Sequence, residues 1–131
     1  MKKLLLISLL ATLLLCSCTQ KMKEFEEEAN QKFGDQHFKT AISLIELYKL
    51  RHGYYPASMD SLEFKGDWDE MAVNSTEYKK LNEGYELNLT NGWMGKPDSL
   101  QLKYPAGFWK GLGIRKSNLK VNFTKKISGS K

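Results

Sequence analysis

The longest periodic stretch in the chain runs over residues 21–56, and it limits what the remainder can fold into. Phe25, Ala29 and Phe33 step by four, then Phe38, Ala41, Ile42, Ile45 and Tyr48 follow at spacings of three and four. That pattern predicts an amphipathic helix with one apolar stripe. Leu44, Leu47 and Leu50 widen the stripe, so from Phe38 onward the helix is expected to be buried on more than one side. Its first turns, with Lys21, Lys23, Glu24, Glu26, Glu27 and Glu28, read as a solvated stalk whose early acids complement the helix dipole. Gly34 costs about 1 kcal/mol relative to alanine in a helix interior. With Asp35 it leaves open a kink or the start of a second helix. The stop is clear, because Lys49, Arg51 and His52 crowd the last turn, Gly53 suits a left-handed cap, and Pro56 forbids resumption.

Beyond the stop, Ser58 or Asp60 is placed to cap one short turn through Leu62 and Phe64, and Lys65-Gly66-Asp67 reads as a turn. Residues 68–81 are ambiguous, with a short strand at 71–73 followed by irregular chain or a helical turn. Three later stretches alternate with period two: Tyr85, Leu87 and Leu89; Leu100, Leu102 and Tyr104; Leu119, Val121 and Phe123. Each predicts a strand with one wet face. A sheet of this kind needs a cover, and the helix is the element long and apolar enough to provide it. The expected fold is therefore α+β, a long N-terminal helix packed on a small antiparallel sheet of three to four strands.

The N-terminal residues have a different character. Lys2 and Lys3 precede an apolar run over residues 4–15, followed by Leu15-Cys16-Ser17-Cys18. The run is short for a bilayer core, which needs roughly 20 residues, so a cleaved export signal is expected. Its end resembles the bacterial lipoprotein box, an aliphatic residue, two small residues and a cysteine. The resemblance implies that residues 1–17 are removed and that Cys18 becomes a lipidated first residue. Several acyl chains make a stable anchor, whereas one binds only marginally. Cys16 leaves with the signal, so no thiol pair remains for a disulfide or a metal. The expected organisation is a signal at 1–17, a lipid-anchored helical stalk at 18–33, an α+β domain at 34–127 and a polar tail at 128–131, located at the bacterial outer membrane.

Charge is unevenly spread. The formal net charge is +5, and removing Lys2 and Lys3 leaves +3. Residues 60–86 contain eight acids against Lys65, Lys79 and Lys80, while no acid follows Asp98 and Lys103, Lys110, Arg115, Lys116, Lys120, Lys125, Lys126 and Lys131 do. A basic half of this kind suits an acidic glycan or anionic lipid. Export makes nucleic acid the least favoured of its possible ligands.

The helix ending also carries a fold-level resemblance. Ile45, Leu47, Tyr48, Gly53, Tyr55 and Pro56 match the pattern at the end of the long helix in type II secretion pseudopilins and their pilin relatives. The match spans about residues 39–62 and implies a pilin-like domain in which the helix lies across an antiparallel sheet. The prepilin leader, the apolar first half of the family's helix and the acidic calcium loop of its major members have no counterpart here. Filament formation through that half-helix therefore does not carry over.

Candidate chemistry is sparse. His37 and His52, both on the helix, do not suggest a nucleophilic triad, and a surface or dipole role fits them better. Asp67, Asp69 and Glu70 lack the glycine and distal glutamate of an EF-hand loop and read as a solvated acidic turn. Gly92, Gly95 and Lys96, and Gly107, Lys110, Gly111 and Gly113, lack P-loop spacing. Trp93, Trp109, Lys110, Arg115 and Lys116 form loop clusters of the residue types that anchor interfaces; closure of the sheet by the aromatics is the equal alternative. Asp60-Ser61-Leu62 and Asp98-Ser99-Leu100 resemble a short O-glycosylation signature of some Gram-negative envelope proteins, with Ser61 and Ser99 as acceptors. The chain reads as a non-enzymatic envelope protein without cofactor or metal, bound to the membrane through Cys18 and to another envelope protein. The alternative is a module that binds an acidic glycan or anionic lipid through the basic C-terminal sheet and the Trp109 loop.

Overall fold

In the computed structural model, the backbone is described for residues 2–63, 65–90, 104, 105 and 107–119, and side chains from Thr19 onward. Helix α1 (Lys2–His52) is one element of 51 residues and passes through Gly34 without a break. Ion pairs at helical spacing, Lys32 to Glu28 and Lys39 to Asp35, both 2.6 Å, flank the glycine. Burial of Ala29, His37 and Phe38 on either side adds tertiary support that outweighs a propensity cost of about 1 kcal/mol. The stalk residues 19–25 are exposed, and burial begins at Ala29, one turn ahead of the expected boundary. Among the described residues, no helix is long and apolar enough to cross a membrane.

The helix stops where the sequence predicts. Gly53 has φ +80°, its N–H bonds Lys49 O at 2.9 Å, and the Lys49 ammonium donates to Gly53 O. A 3₁₀ turn (Met59–Ser61) follows with Ser58 extended before it, but no side chain caps it. Leu62 is buried beneath this turn; Phe64 lies outside the described residues.

The strand expected at 71–73 is instead part of helix α2 (Asp67–Asn74). The signal for the helix lies at its start: Asp67, Asp69 and Glu70 occupy the first turn, where acids complement the dipole, and the Asp69 carboxylate accepts the Gly66 N–H at 2.8 Å. The acidic stretch is thus a helix start and not a turn. Strand β1 (Thr76–Lys80) follows directly. Its sequence, Thr-Glu-Tyr-Lys-Lys, lacks an apolar face, because an edge strand is shielded from other chains by its charges. Gly84, with φ +81°, turns the chain into β2 (Tyr85–Leu89), whose alternating burial matches the predicted period of two.

Among the described residues the sheet has three strands in the order β1-β2-β3. β1 pairs antiparallel with β2, Tyr78 opposite Leu87. β3 (Ile114–Lys116) pairs parallel with β2, Tyr85 opposite Ile114, so the sheet is mixed where an antiparallel one was expected. A parallel neighbour needs a crossover of about a dozen residues or more, and 24 residues separate Leu89 from Ile114. Tyr104 lies outside any strand, as does Leu119 just past β3. The rest of the two alternating stretches at 100–104 and 119–123, and the polar tail at 128–131, fall outside the described residues. After β3 the side chain of Asn118 extends the ladder: it accepts from Leu89 N at 2.9 Å and donates to Leu89 O at 2.8 Å.

The core lies between α1 and the sheet, with Phe38, Ala41, Ile42 and Ile45 facing Tyr85, Leu87, Leu89, Trp109, Ile114 and Leu119. Ile45 is fully buried. Ile45→Ala should lower stability by about 2–5 kcal/mol, read as a shift of the urea midpoint by circular dichroism. Ile45→Asp, which buries an unpaired charge, should abolish the cooperative transition altogether; a near-native midpoint for it would contradict this packing.

Candidate functional site

Among the described residues, the densest polar grouping is built around Glu46. Ile45 beside it points into the core, so Glu46 sits at the margin of the buried stripe, half-buried. The Tyr85 hydroxyl on β2 donates to Oε1 at 3.0 Å. Gly113 N–H, just ahead of β3, donates to the same oxygen at 2.6 Å. The Tyr55 hydroxyl, from the chain that leaves the helix, donates to Oε2 at 3.3 Å. Tyr78 on β1 completes the aromatic group, with ring centroids 5.6 Å from Tyr85 and its hydroxyl donating to Pro56 O at 2.7 Å. Tyr55 and Tyr85 are 5.2 Å apart, and the Lys49 ammonium lies 5.4 Å over the Tyr55 ring.

The backbone beside the carboxylate is packed too tightly for side chains. A Cβ at Gly113 would lie 1.9 Å from the Tyr55 oxygen, and a Cβ at Gly84 1.9 Å from Gly113 O. Burial, followed by the neighbouring Glu46 charge, raises the Tyr55 and Tyr85 hydroxyls above the usual phenol range. Burial, then Tyr55 and Glu46, pushes Tyr78 up to about 12. These hydroxyls stay protonated and donate, and the carboxylate accepts. The cluster joins α1 to β2, to the turn after the helix and to the entry of β3, and both carboxylate oxygens accept in doing so.

The second grouping contains Trp109. Its indole is 8% exposed and packs edge-on against Phe108 at 4.7 Å, Tyr104 at 4.9 Å and Phe38 at 6.3 Å. Trp109 is therefore a core residue that closes the sheet, not an exposed anchor. Being buried, the indole is not an exposed aromatic platform of the kind expected for a glycan-binding loop. Burial and then the Asp35 carboxylate raise the Tyr104 hydroxyl, and the Lys39 ammonium stands 5.4 Å over its ring. Lys110, on the turn after Trp109, and Arg115 and Lys116 on β3 are exposed. The Arg115 guanidinium donates to Leu112 O at 3.0 Å.

The other expected residues are dispersed. Trp93 and Ser99 lie outside the described residues. Ser61 is half-buried in the 3₁₀ turn. Cys18 falls within α1. His37 is buried, its Nδ1 without a hydrogen-bond partner among the described residues, and burial lowers its pKa. His52 lies at the helix end, its ring 4.2 Å from Tyr48 and its Nε2 3.7 Å from Glu63. No group of three metal-ligating side chains occurs among the described residues. An apolar groove of about 340 Å³ lies along the stalk, lined by Phe25, Glu28, Ala29, Lys32 and Phe33.

Glu46 and its tyrosines were not foreseen as a group. The signal was a single acid between Ile45 and Leu47, one helical step from Ile42, since a carboxylate at the margin of a core stripe must find donors. Compared with family models, curated proteins and solved structures, the chain matches none.

Removing the carboxylate strands two hydroxyls and an amide, so Glu46→Ala should cost about 2–4 kcal/mol. A double-mutant cycle with Tyr85→Phe, followed by urea unfolding, should show the two changes to be strongly non-additive. The tyrosines also set the alkaline limit. Between a phenol's ordinary value of 10.0 and the value near 12 at Tyr78, the folded chain holds protons that the unfolded chain has released. This contribution to stability is complete below pH 10 and is lost as pH rises toward 12. Thermal unfolding across this range should show Tm falling above pH 10, with a shallower fall in Tyr78→Phe.

Proposed function

We propose that the chain is a non-enzymatic, lipid-anchored protein of the bacterial outer membrane that holds its α+β domain at a set distance from the bilayer for contact with another envelope protein. One observation carries this reading: the cysteine of the Leu15-Cys16-Ser17-Cys18 box leads without interruption into the helix that becomes the core of the domain. A helix rises 1.5 Å per residue, so the path from Cys18 to Phe38 spans about 30 Å. A stalk of this kind is stiff, whereas a glycine- and serine-rich linker would let the domain wander. Its exposed, charged first turns suit the watery layer beside a membrane. A non-enzymatic role is favoured because the titratable groups that come together around Glu46 are bonded to one another instead of lining a cavity. The resemblance of the helix ending to pseudopilins supports an envelope setting; the hydrophilic stalk argues against their filament role.

Expression in a Gram-negative host tests the anchor. The intact chain should fractionate with membranes and take up labelled palmitate, and Cys18→Ala should lose both properties. A Cys18→Ala protein that still partitions with membranes would overturn the lipoprotein reading.

A further inference from the structure

Helix α1 carries two apolar stripes on different sides of its axis. Each residue turns an α-helix by about 100°, so the nine residues from Ala29 to Phe38 carry the apolar side round by about 180°. Phe38, Ala41, Ile42 and Ile45 pack with the sheet. Met22, Phe25, Ala29 and Phe33 fall within an arc of about 80° that is turned away from it. Met22 is 65% exposed and Phe25 60%, a large apolar surface for a charged stalk. Phe25, Ala29 and Phe33 line the groove of about 340 Å³, with Glu28 and Lys32 along it. The small Ala29 side chain forms its floor, 8% exposed.

The charges beside this stripe say what covers it. Met22, Phe25 and Ala29 are spaced by three and four, as the a, d and a positions of a heptad repeat are. On this spacing Lys21 and Glu26 take the g and e positions that flank the seam. Lys21 is exposed and Glu26 half-buried, and neither enters an ion pair among the described residues. In a parallel pair of helices a g residue faces the e residue of the following heptad on the partner. Two copies side by side therefore set Lys21 against Glu26 twice, once in each direction. We propose that copies of this chain pair through their stalks as a parallel two-stranded coiled coil, with Met22, Phe25 and Ala29 as the seam and the Phe25 ring of each copy entering the groove over Ala29 of the other. The contact is isologous, and the half turn between the two stripes leaves the domains on the outer sides of the pair. The pairing rests on the anchor reading, because copies lipidated at Cys18 stand on one surface with their stalks parallel and at one height. A seam of about two heptads is shorter than the three or four of a sustained coiled coil. Confinement to the membrane supplies the difference by raising the effective concentration of one copy for another.

A disulfide requires Cβ atoms about 4 Å apart, so single added cysteines report which side of the stalk meets its copy. On the anchor reading Cys16 leaves with the signal and the Cys18 sulfur is acylated, so an added cysteine is the sole thiol. Full chains carrying Met22→Cys, Phe25→Cys or Ala29→Cys, and Glu24→Cys or Glu27→Cys on the opposite side, are produced in a Gram-negative host. The membrane fraction is oxidised, separated without reductant, and the joined bands assigned by mass. Disulfide dimers should form at positions 22, 25 and 29 with yields about five-fold or more above those at 24 and 27. With Ala29→Cys as reporter, K21E or E26K sets like charges against each other and should lower the yield about five-fold. The double change K21E/E26K should restore it, which also shows that the altered stalks remain helical. The pairing is overturned if yields are equal on both sides of the stalk, if the double change fails to restore the dimer, or if the seam cysteines join only a different protein. Fractionation judges the anchor separately. A chain absent from the membranes overturns the anchor reading and the pairing with it, whereas a membrane-bound chain without seam disulfides overturns the pairing alone.

Discussion

The fold depends on a single half-buried carboxylate. A small mixed sheet offers a helix little area, and apolar packing alone sets its orientation loosely, since many hydrophobic arrangements of similar volume are close in energy. Glu46 narrows the choice. It takes one donor from β2, one from the chain entering β3 and one from the turn that follows the helix, so a slip of any of these elements strands a charge. Removing one partner of a buried charge costs far more than the net gain of forming the pair, and this asymmetry makes the joint a device for specificity. The glycines beside it enforce the same geometry from the backbone side. Gly113 leaves room for the Tyr55 oxygen and Gly84 for the carbonyl of Gly113, so the chain comes close enough for the amide at 113 to reach the carboxylate.

Among the described residues β1 and β2 have five residues each and β3 three. β1 exposes Glu77, Lys79 and Lys80, which discourages pairing with another strand. β3 covers Ile114–Lys116, and the Asn118 side chain extends the ladder past it. Its amide stands in for a peptide group against Leu89, while its own N–H bonds the Asn88 side chain at 2.8 Å. The backbone groups at Leu89 are thus satisfied by a side chain, as buried polar groups require. The aromatic group of Tyr104, Phe108 and Trp109 then closes the core beside Phe38.

Much of this was legible from local pattern. The stripe from Phe38 to Tyr48, the stop at Gly53 and Pro56, and the alternation of Tyr85, Leu87 and Leu89 each follow from a strong period or a strong punctuation residue, and each is found. β1 was illegible because an edge strand guarded by charges has no apolar alternation to read. α2 was misread because Met71, Ala72 and Val73 suggest a strand by composition, while the helix is set by capping at Gly66 and Asp69, which a short apolar run conceals. The parallel partner of β2 depends on a long crossover, and sequence offers no local mark of register at such a distance. Trp109 shows the same limit at the site. Its loop composition matches an interface anchor, yet residue type cannot distinguish an indole that faces a partner from one that faces Phe38. Glu46 was visible as an isolated acid, but its donors lie in three other segments and only the fold brings them together.

The strand order also gives the charge pattern its spatial meaning. Acids are concentrated over residues 60–86 and bases after Asp98, a separation along the chain that would blur if the chain doubled back across the sheet. Here the three strands lie side by side in the order in which they occur. The early part supplies α2, with its acidic first turn, and β1, which exposes Glu77, Lys79 and Lys80; the late part supplies β3, with Arg115 and Lys116 exposed. The central strand contributes mainly its buried face, with Glu86 half-buried. A separation of charge along the chain therefore does not by itself polarise the domain, because β1, on the acidic side of the sequence, exposes two lysines against one glutamate.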